Sequence, residues 1–173
     1  VTRVLVYGFG PYQQFKDNVT SRIVKKLRAS RGLKKIVFPV KFDKRQFTGA
    51  VRKHRPGVVL GLGQCSTGSR LRIERQALNG RRARRQQKRR PILPGGPKKR
   101  PTNLRLSSAA LGGAELSGSP GDYVCNFSMY VILDYLERHG CKAEFGFIHI
   151  PHDYPLAKAA RSVRKVLREI ARG

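Results

Sequence analysis

The chain has 173 residues, 39% of them hydrophobic, with no Trp and three Cys, and its 37 Lys and Arg against 10 Asp and Glu give a formal net charge of +27. This length and apolar content suit one globular domain over 1–173, since a chain of this size buries roughly 70% of its unfolded surface on folding. Recurring apolar clusters exclude a wholly disordered chain, and the longest apolar runs, such as Val58 to Leu62, fall far short of the ~20 apolar residues that cross a bilayer, so no membrane span is expected.

The first apolar run, Val4 to Phe9, reads as a buried strand and leads into the turn Gly8-Phe9-Gly10-Pro11. Ile23, Val24 and Leu27 form a helical stripe; Ile36 to Val40 is a second strand, Phe47 to Lys53 a short helix and Val58 to Leu62 a third strand. Phe127 to Arg138 reads as a helix with Gly140 near its end, followed by a fourth strand over Phe145 to Ile150. Leu156, Ala160, Val163, Leu167 and Ile170 then make the apolar stripe of a last helix, whose other face carries Lys158, Arg161, Arg164, Lys165, Arg168 and Arg172. Alternating strands and helices imply an α/β sandwich around a largely parallel sheet.

One stretch breaks the pattern. No acidic residue occurs from Arg75 to Ala114, and within the 80–105 segment Arg81, Arg82, Arg84, Arg85, Lys88, Arg89, Arg90, Lys98, Lys99 and Arg100 are interleaved with Pro91, Pro94, Gly95, Gly96, Pro97 and Pro101. Proline and glycine deny it long regular elements and its cations repel one another, so it reads as an extended loop that orders only on an anionic surface. Setting those ten cations aside still leaves +17 on the rest of the chain. Such a charge repels itself unless a polyanion neutralises it. The expected partner is RNA, foremost ribosomal RNA with neighbouring ribosomal proteins. It would be gripped through phosphates by these ten residues except Arg84, and by Arg161, Arg164, Lys165 and Arg168 of the last helix.

Cys65, Cys125 and Cys141 are odd in number and irregularly spaced, and no charged start followed by an apolar run suggests a secretory signal, so a reducing, cytoplasmic compartment is expected. A dinucleotide fingerprint fails because its third glycine would fall at Gln13 and proline stands where a helix-opening amide is needed, and Gly61-Leu62-Gly63-Gln64 lacks a phosphate-loop lysine. His139 and Cys141 are close, but no second ligand pair has zinc spacing; neither metal nor cofactor is expected.

A better-defined constellation joins three distant residues. Cys125, in Gly121-Asp122-Tyr123-Val124-Cys125-Asn126, stands directly before the helix expected from Phe127, where the helix's partial positive charge favours a thiolate nucleophile. His149 lies at the carboxyl end of a buried strand, the edge where open α/β sheets place their sites, and suits a general base. Glu74, an isolated acid among cations, suits the group that orients a histidine. Spacing alone leaves the other reading open, since single Cys and His residues also serve as core filler.

At these residues the sequence resembles the pyroglutamyl peptidase I (pyrrolidone carboxyl peptidase) family of cysteine peptidases. Four motifs occur in the family's order: Gly-Phe-Gly-Pro-aromatic at Gly8 to Tyr12 with Asn18 downstream, Glu-Arg-x-Ala-x-Asn at Glu74 to Asn79, Tyr-Val-Cys-Asn at Tyr123 to Asn126, and Phe-Ile-His-Ile-Pro at Phe147 to Pro151. The resemblance implies a three-layer α/β/α sandwich with Cys125 as nucleophile, His149 as general base and acid, Glu74 holding the imidazole and Arg84 beside the developing oxyanion. It also implies that Phe9, Tyr12, Tyr123 and Val124 line an apolar pocket for a pyroglutamate ring. The sequence departs from the family pattern in two places: Gln13-Gln14 replaces the family's glycine pair after the first aromatic and Val19 its following proline, and Arg81 and Arg82 stand where the family has acidic residues while Arg85 to Pro91 replaces the turn that usually carries Ile-Pro-Asp-Asn, so a substrate-side loop has become cationic. Weighing charge over triad, the sequence reads as an RNA-binding, ribosome-associated protein built on this peptidase fold; the alternative is a working omega-peptidase that removes N-terminal pyroglutamate from peptides.

Overall fold

The computed structural model describes residues 3–172. Strand β1 (Val4–Phe9) is buried along its whole length and lies between parallel neighbours β2 (Leu33–Phe38) and β3 (Val58–Cys65). β3 in turn pairs in parallel with β8 (Glu144–Pro151). Strands covered on both faces need apolar side chains at consecutive positions, which is why β1, β3 and β8 stand out in the sequence as largely apolar runs, whereas the edge strand β2 carries Lys34 and Lys35 and begins three residues before the expected Ile36. Beyond β8 the sheet turns antiparallel at β4 (Arg72–Glu74) and ends with β7 (Glu115–Ser117), giving the order β2-β1-β3-β8-β4-β7. A separate ribbon pairs β5 (Gln76–Leu78) with β6 (Lys99–Pro101). These last four strands are missing from the sequence reading because three residues carry too little periodicity to register.

Helices cover both faces, as expected of an α/β/α sandwich around a mostly parallel sheet. α1 (Val19–Lys26) and α4 (Leu156–Arg172) pack on Val6, Leu60, Leu62, Ile148 and Ile150, while α2 (Lys44–His54) and α3 (Val124–Arg138) pack on Leu5, Tyr7, Val59, Phe145 and Phe147. The alternation along β8 assigns its odd positions to α3 and its even positions to α1 and α4, as the two-residue period of a strand requires. Asn18 and Asp43 cap α1 and α2 by accepting hydrogen bonds from Thr20 N and Arg45 N. α3 begins at Val124, three residues earlier than the sequence suggested, so Cys125 lies inside its first turn.

The cationic segment is ordered by the protein's own groups rather than by an anionic surface. Asn79 Oδ1 accepts from Ile92 N (2.8 Å) and Leu93 N (2.9 Å), and its Nδ2 donates to Leu93 O and Gly96 O. Ile92 and Leu93 pack against the α2–α3 core, and Tyr130 Oη donates to Pro97 O. Arg100 is buried, with its guanidinium 2.7 Å from Asp134 Oδ1 and also bonded to Glu137. A guanidinium this far out of water requires paired carboxylates, and α3 supplies both. Replacing Asn79 with alanine removes four hydrogen bonds to the loop backbone, of whose acceptors Leu93 O keeps Gly96 N; we expect about 2–3 kcal/mol loss of stability, read by urea unfolding, with faster tryptic cleavage between Arg84 and Arg90.

Candidate active site

Strand register brings the ionisable groups together. His149 on β8 lies opposite Gly63 on β3 and Arg72 on β4, and Phe147 lies opposite Glu74. Glu74 and Arg72, two residues apart on one strand, therefore share the α3-facing side of the sheet with His149. His149 Nδ1 is 2.6 Å from Glu74 Oε1, and Glu74 is fully buried. An ionised carboxylate only accepts, so Nδ1 carries the proton and Nε2 is left free. Burial works to raise the Glu74 carboxyl, but the hydrogen bond and charge of His149, with Ser117 and Arg72, hold it below the usual carboxylate range.

The thiol reaches the same place from the helix above. A Cβ on Gly63 would lie 2.7 Å from Cys125 Sγ and 2.7 Å from the Phe147 ring, so the missing side chain at 63 forms the slot that the sulfur occupies. Because Gly63 and His149 are register partners, the slot adjoins the imidazole. Burial, with Cys65 and Glu74 adding to it, pushes the thiol up to about 12. Loss of water around the sulfur and these two nearby acidic groups thus oppose the thiolate that the partial charge of the helix's first turn was expected to favour. Tyr123, the N-cap of α3, makes no side-chain capping bond, which leaves the first amides of that helix without a side-chain partner.

Cys125 and His149 open onto a cleft of about 550 Å³ at the carboxyl end of the parallel strands. Phe9, Tyr12, Tyr123 and Val124 line it, with Tyr12 and Tyr123 ring centroids 6.1 Å apart and Phe42 edge-on to Tyr123 at 5.5 Å. Arg84 is also on its wall, beside Arg82 and Arg85. All eight residues that the resemblance assigned to chemistry or substrate are therefore gathered at one site, Glu74 from behind the imidazole. Sequence reasoning missed Gly63, whose only signal was a Gly-Leu-Gly run weighed as a phosphate loop, and Gln64, whose Oε1 accepts from Val19 N at 2.8 Å at the cleft's edge. Asn126 stood out as part of a motif, but its role emerges only in three dimensions, where it accepts from Leu78 N and donates to Leu78 O and Gly80 O, tying the start of the cationic segment to α3.

Comparison with known proteins agrees with this geometry. The family model for pyroglutamyl peptidase matches residues 2–160. A pyrrolidone-carboxylate peptidase of Saccharolobus islandicus (strain L.S.2.15) is 30% identical over 179 aligned residues, spanning 92% of this chain and 85% of that protein. One from Pyrococcus furiosus is 31% identical over 169, spanning 87% and 81%. Among solved structures, the Bacillus amyloliquefaciens pyroglutamyl peptidase I shares the fold at a TM-score of 0.86 and 24% identity, covering 96% of this chain and 95% of that one. The A199P mutant of the P. furiosus enzyme gives 0.84 at 25% identity, covering 98% of each chain.

These matches overturn the expectation of an RNA-binding, ribosome-associated protein with ribosomal partners, since each of these similar proteins is a peptidase. The residues on which that expectation rested have other settings. Arg100 is spent on Asp134 and Glu137, Arg82 on Asp122 at 2.6 Å, and Arg81 lies 5.5 Å over the Phe42 ring while its backbone bridges Arg90. Arg85 lines the cleft and Lys99 belongs to β6. Lys88, Arg89 and Lys98 are exposed along the pinned loop, and Arg161, Arg164, Lys165 and Arg168 form the solvated face of α4. Net charge reports how a chain behaves toward solvent and counter-ions and does not identify a partner. No helix among the described residues is long and apolar enough to cross a membrane. With its model matched from residue 2 to 160 and relatives aligned over nine-tenths of its length, the chain belongs to the pyroglutamyl peptidase family.

Proposed function

We propose that the protein is a cysteine peptidase that removes an N-terminal pyroglutamyl residue from peptides. The observation that carries this reading is the Glu74–His149 pair at 2.6 Å beside a slot, opened by Gly63, that seats the Cys125 sulfur in an apolar-lined cleft. The lactam ring has no formal charge, and Phe9, Tyr12, Tyr123 and Val124 give it an apolar berth.

His149 Nε2 takes the thiol proton as Sγ attacks the pyroglutamyl carbonyl carbon, and negative charge develops on the carbonyl oxygen. Arg84 and the uncapped amides opening α3 are the donors for that oxyanion. The imidazolium, stabilised by Glu74, returns its proton to the leaving amine as the C–N bond breaks and a thioester remains. Water, deprotonated by His149, then attacks the thioester, releasing pyroglutamate and restoring the thiol. A reducing, cytoplasmic setting belongs to the same reading, because the nucleophile must remain a free thiol.

Hydrolysis of a pyroglutamyl–7-amidomethylcoumarin reporter by the wild type but not by Cys125→Ala is the direct test; absence of activity in both would overturn the reading. Two further outcomes are expected. Gly63→Ala closes the sulfur's slot and should lower kcat by about 10²-fold while circular dichroism stays unchanged, because misplacement by an ångström costs on that order. With its pKa raised to about 12, the thiol is neutral near pH 7, so its alkylation by iodoacetamide should climb about tenfold per pH unit through pH 9 without a plateau.

A further inference from the structure

We propose that the cleft prefers pyroglutamyl peptides whose first residue on the leaving-group side carries a carboxylate, and that Arg85 sets this preference; the inference rests on the peptidase reading above. It starts from the charge around the cleft. Arg72, Arg82, Arg84 and Arg85 line it, against Asp122 as the one carboxylate in the lining. Asp122 is already bonded to Arg82, and Arg72 stands 3.7 Å from buried Glu74. Arg84 and Arg85 are exposed, and among the described residues neither makes an ion pair.

The turn that carries Arg84 and Arg85 is held in place through its backbone. Arg82 N donates to Asp122 O at 2.9 Å, its Nε meets the Asp122 carboxylate at 2.6 Å, and its Nη1 donates to Arg85 O at 3.2 Å. Gln87 closes the turn, donating from its backbone to Arg84 O at 3.0 Å and accepting from Arg84 N at 3.3 Å. Asp122 precedes Cys125 by three residues, so the arginine turn is anchored to the segment that delivers the nucleophile. A cationic rim on a pinned turn at the edge of a cleft gathers anionic groups more than scattered surface lysines would.

The pyroglutamyl ring offers these arginines nothing to read, being an uncharged lactam seated among aromatic and aliphatic side chains. What they can read is the chain that leaves the cleft past the thiol. Arg84 is assigned to the oxyanion, which leaves Arg85, with Arg82 braced behind it, to meet the next side chain. A carboxylate there finds an unpaired guanidinium, whereas a lysine or arginine is repelled.

The test uses pyroglutamyl-Xaa-alanine amides with Xaa as Asp, Asn or Lys, so that only one side-chain charge varies, and compares kcat/KM for the wild type and Arg85→Gln. At about 0.05 M salt we expect Asp to exceed Lys by roughly tenfold, with the ratio shrinking several-fold at about 0.5 M as the rim is screened. Arg85→Gln should cut the Asp-to-Asn ratio by about threefold or more and leave the Asn substrate within about twofold. Equal rates for the three peptides in the wild type, or a ratio unchanged in Arg85→Gln, would overturn the inference while leaving the peptidase standing. Binding of the same three peptides to Cys125→Ala, followed by calorimetry, separates the two claims. Should the wild type cleave none of them, the peptidase reading fails, and the order of affinities still decides the charge preference, tighter binding of Asp supporting it and equal binding refuting it.

Discussion

Replacing Cys125 with alanine is expected to lower kcat on a pyroglutamyl reporter by about 10⁴-fold or more, with KM unchanged within about threefold. The nucleophile forms the only covalent bond between enzyme and substrate, so no neighbouring group compensates for its loss. Residual catalysis can come only from binding and oxyanion donors, which explains why removal of any one member of such a set costs nearly as much as removal of all. The methyl group of alanine fits the slot beside Gly63 without strain, so the fold is expected to survive and the deficit to lie in the chemistry. Wild-type rates in Cys125→Ala, measured in single-turnover experiments, would remove the residue from the mechanism.

Glu74→Gln is expected to cost about 10³- to 10⁴-fold in kcat, a larger effect than its distance from the substrate suggests. The carboxylate fixes which imidazole nitrogen holds a proton. An amide at this position can present its NH₂ to Nδ1 instead, and the proton then moves to Nε2, where a base is needed. The same substitution separates orientation from mere packing through a pH readout. Glu74 has its folded-state pKa shifted below that of the unfolded chain, so its contribution to stability is present above the unfolded value of about 4.3 and is lost as pH falls through the folded value. Glu74→Gln should therefore flatten the acid limb of the unfolding curve below about pH 4.5, while Glu74→Asp, which keeps the charge but shortens the reach, should restore part of the activity. An unaltered acid limb would show that the carboxylate carries no such linkage.

The high net charge is the feature most easily misread. Charge counted along the chain ignores where carboxylates lie in space, and α3 places Asp134 and Glu137 on Arg100 across 34 and 37 residues of sequence. The loop expected to wait for a polyanion is held by Asn79 and by apolar contacts of Ile92 and Leu93, neither of which a charge count can register. Its cationic character retains a place at the mouth of the cleft, where Arg84 and Arg85 make no ion pair among the described residues.

β1, β3, β8 and the four helices were legible because each carries enough consecutive or periodic apolar side chains to mark itself, β2 only in its Ile36–Phe38 half, and the motifs around Glu74, Cys125 and His149 were legible because the residue types themselves carry the resemblance. The three-residue strands were not, and with them went the antiparallel turn of the sheet at β4. That turn sets Arg72 and Glu74 against His149 and Phe147, a juxtaposition across 75 residues that depends on strand register alone. The role of Gly63 likewise exists only once α3 crosses β3 and the sulfur needs the volume a side chain would fill. Local sequence thus determined the elements, the layered architecture and the chemical types available. Tertiary structure decided which charges are neutralised, which thiol is kept protonated and which arginines remain free, because burial and distance between remote residues, not composition, set those energies.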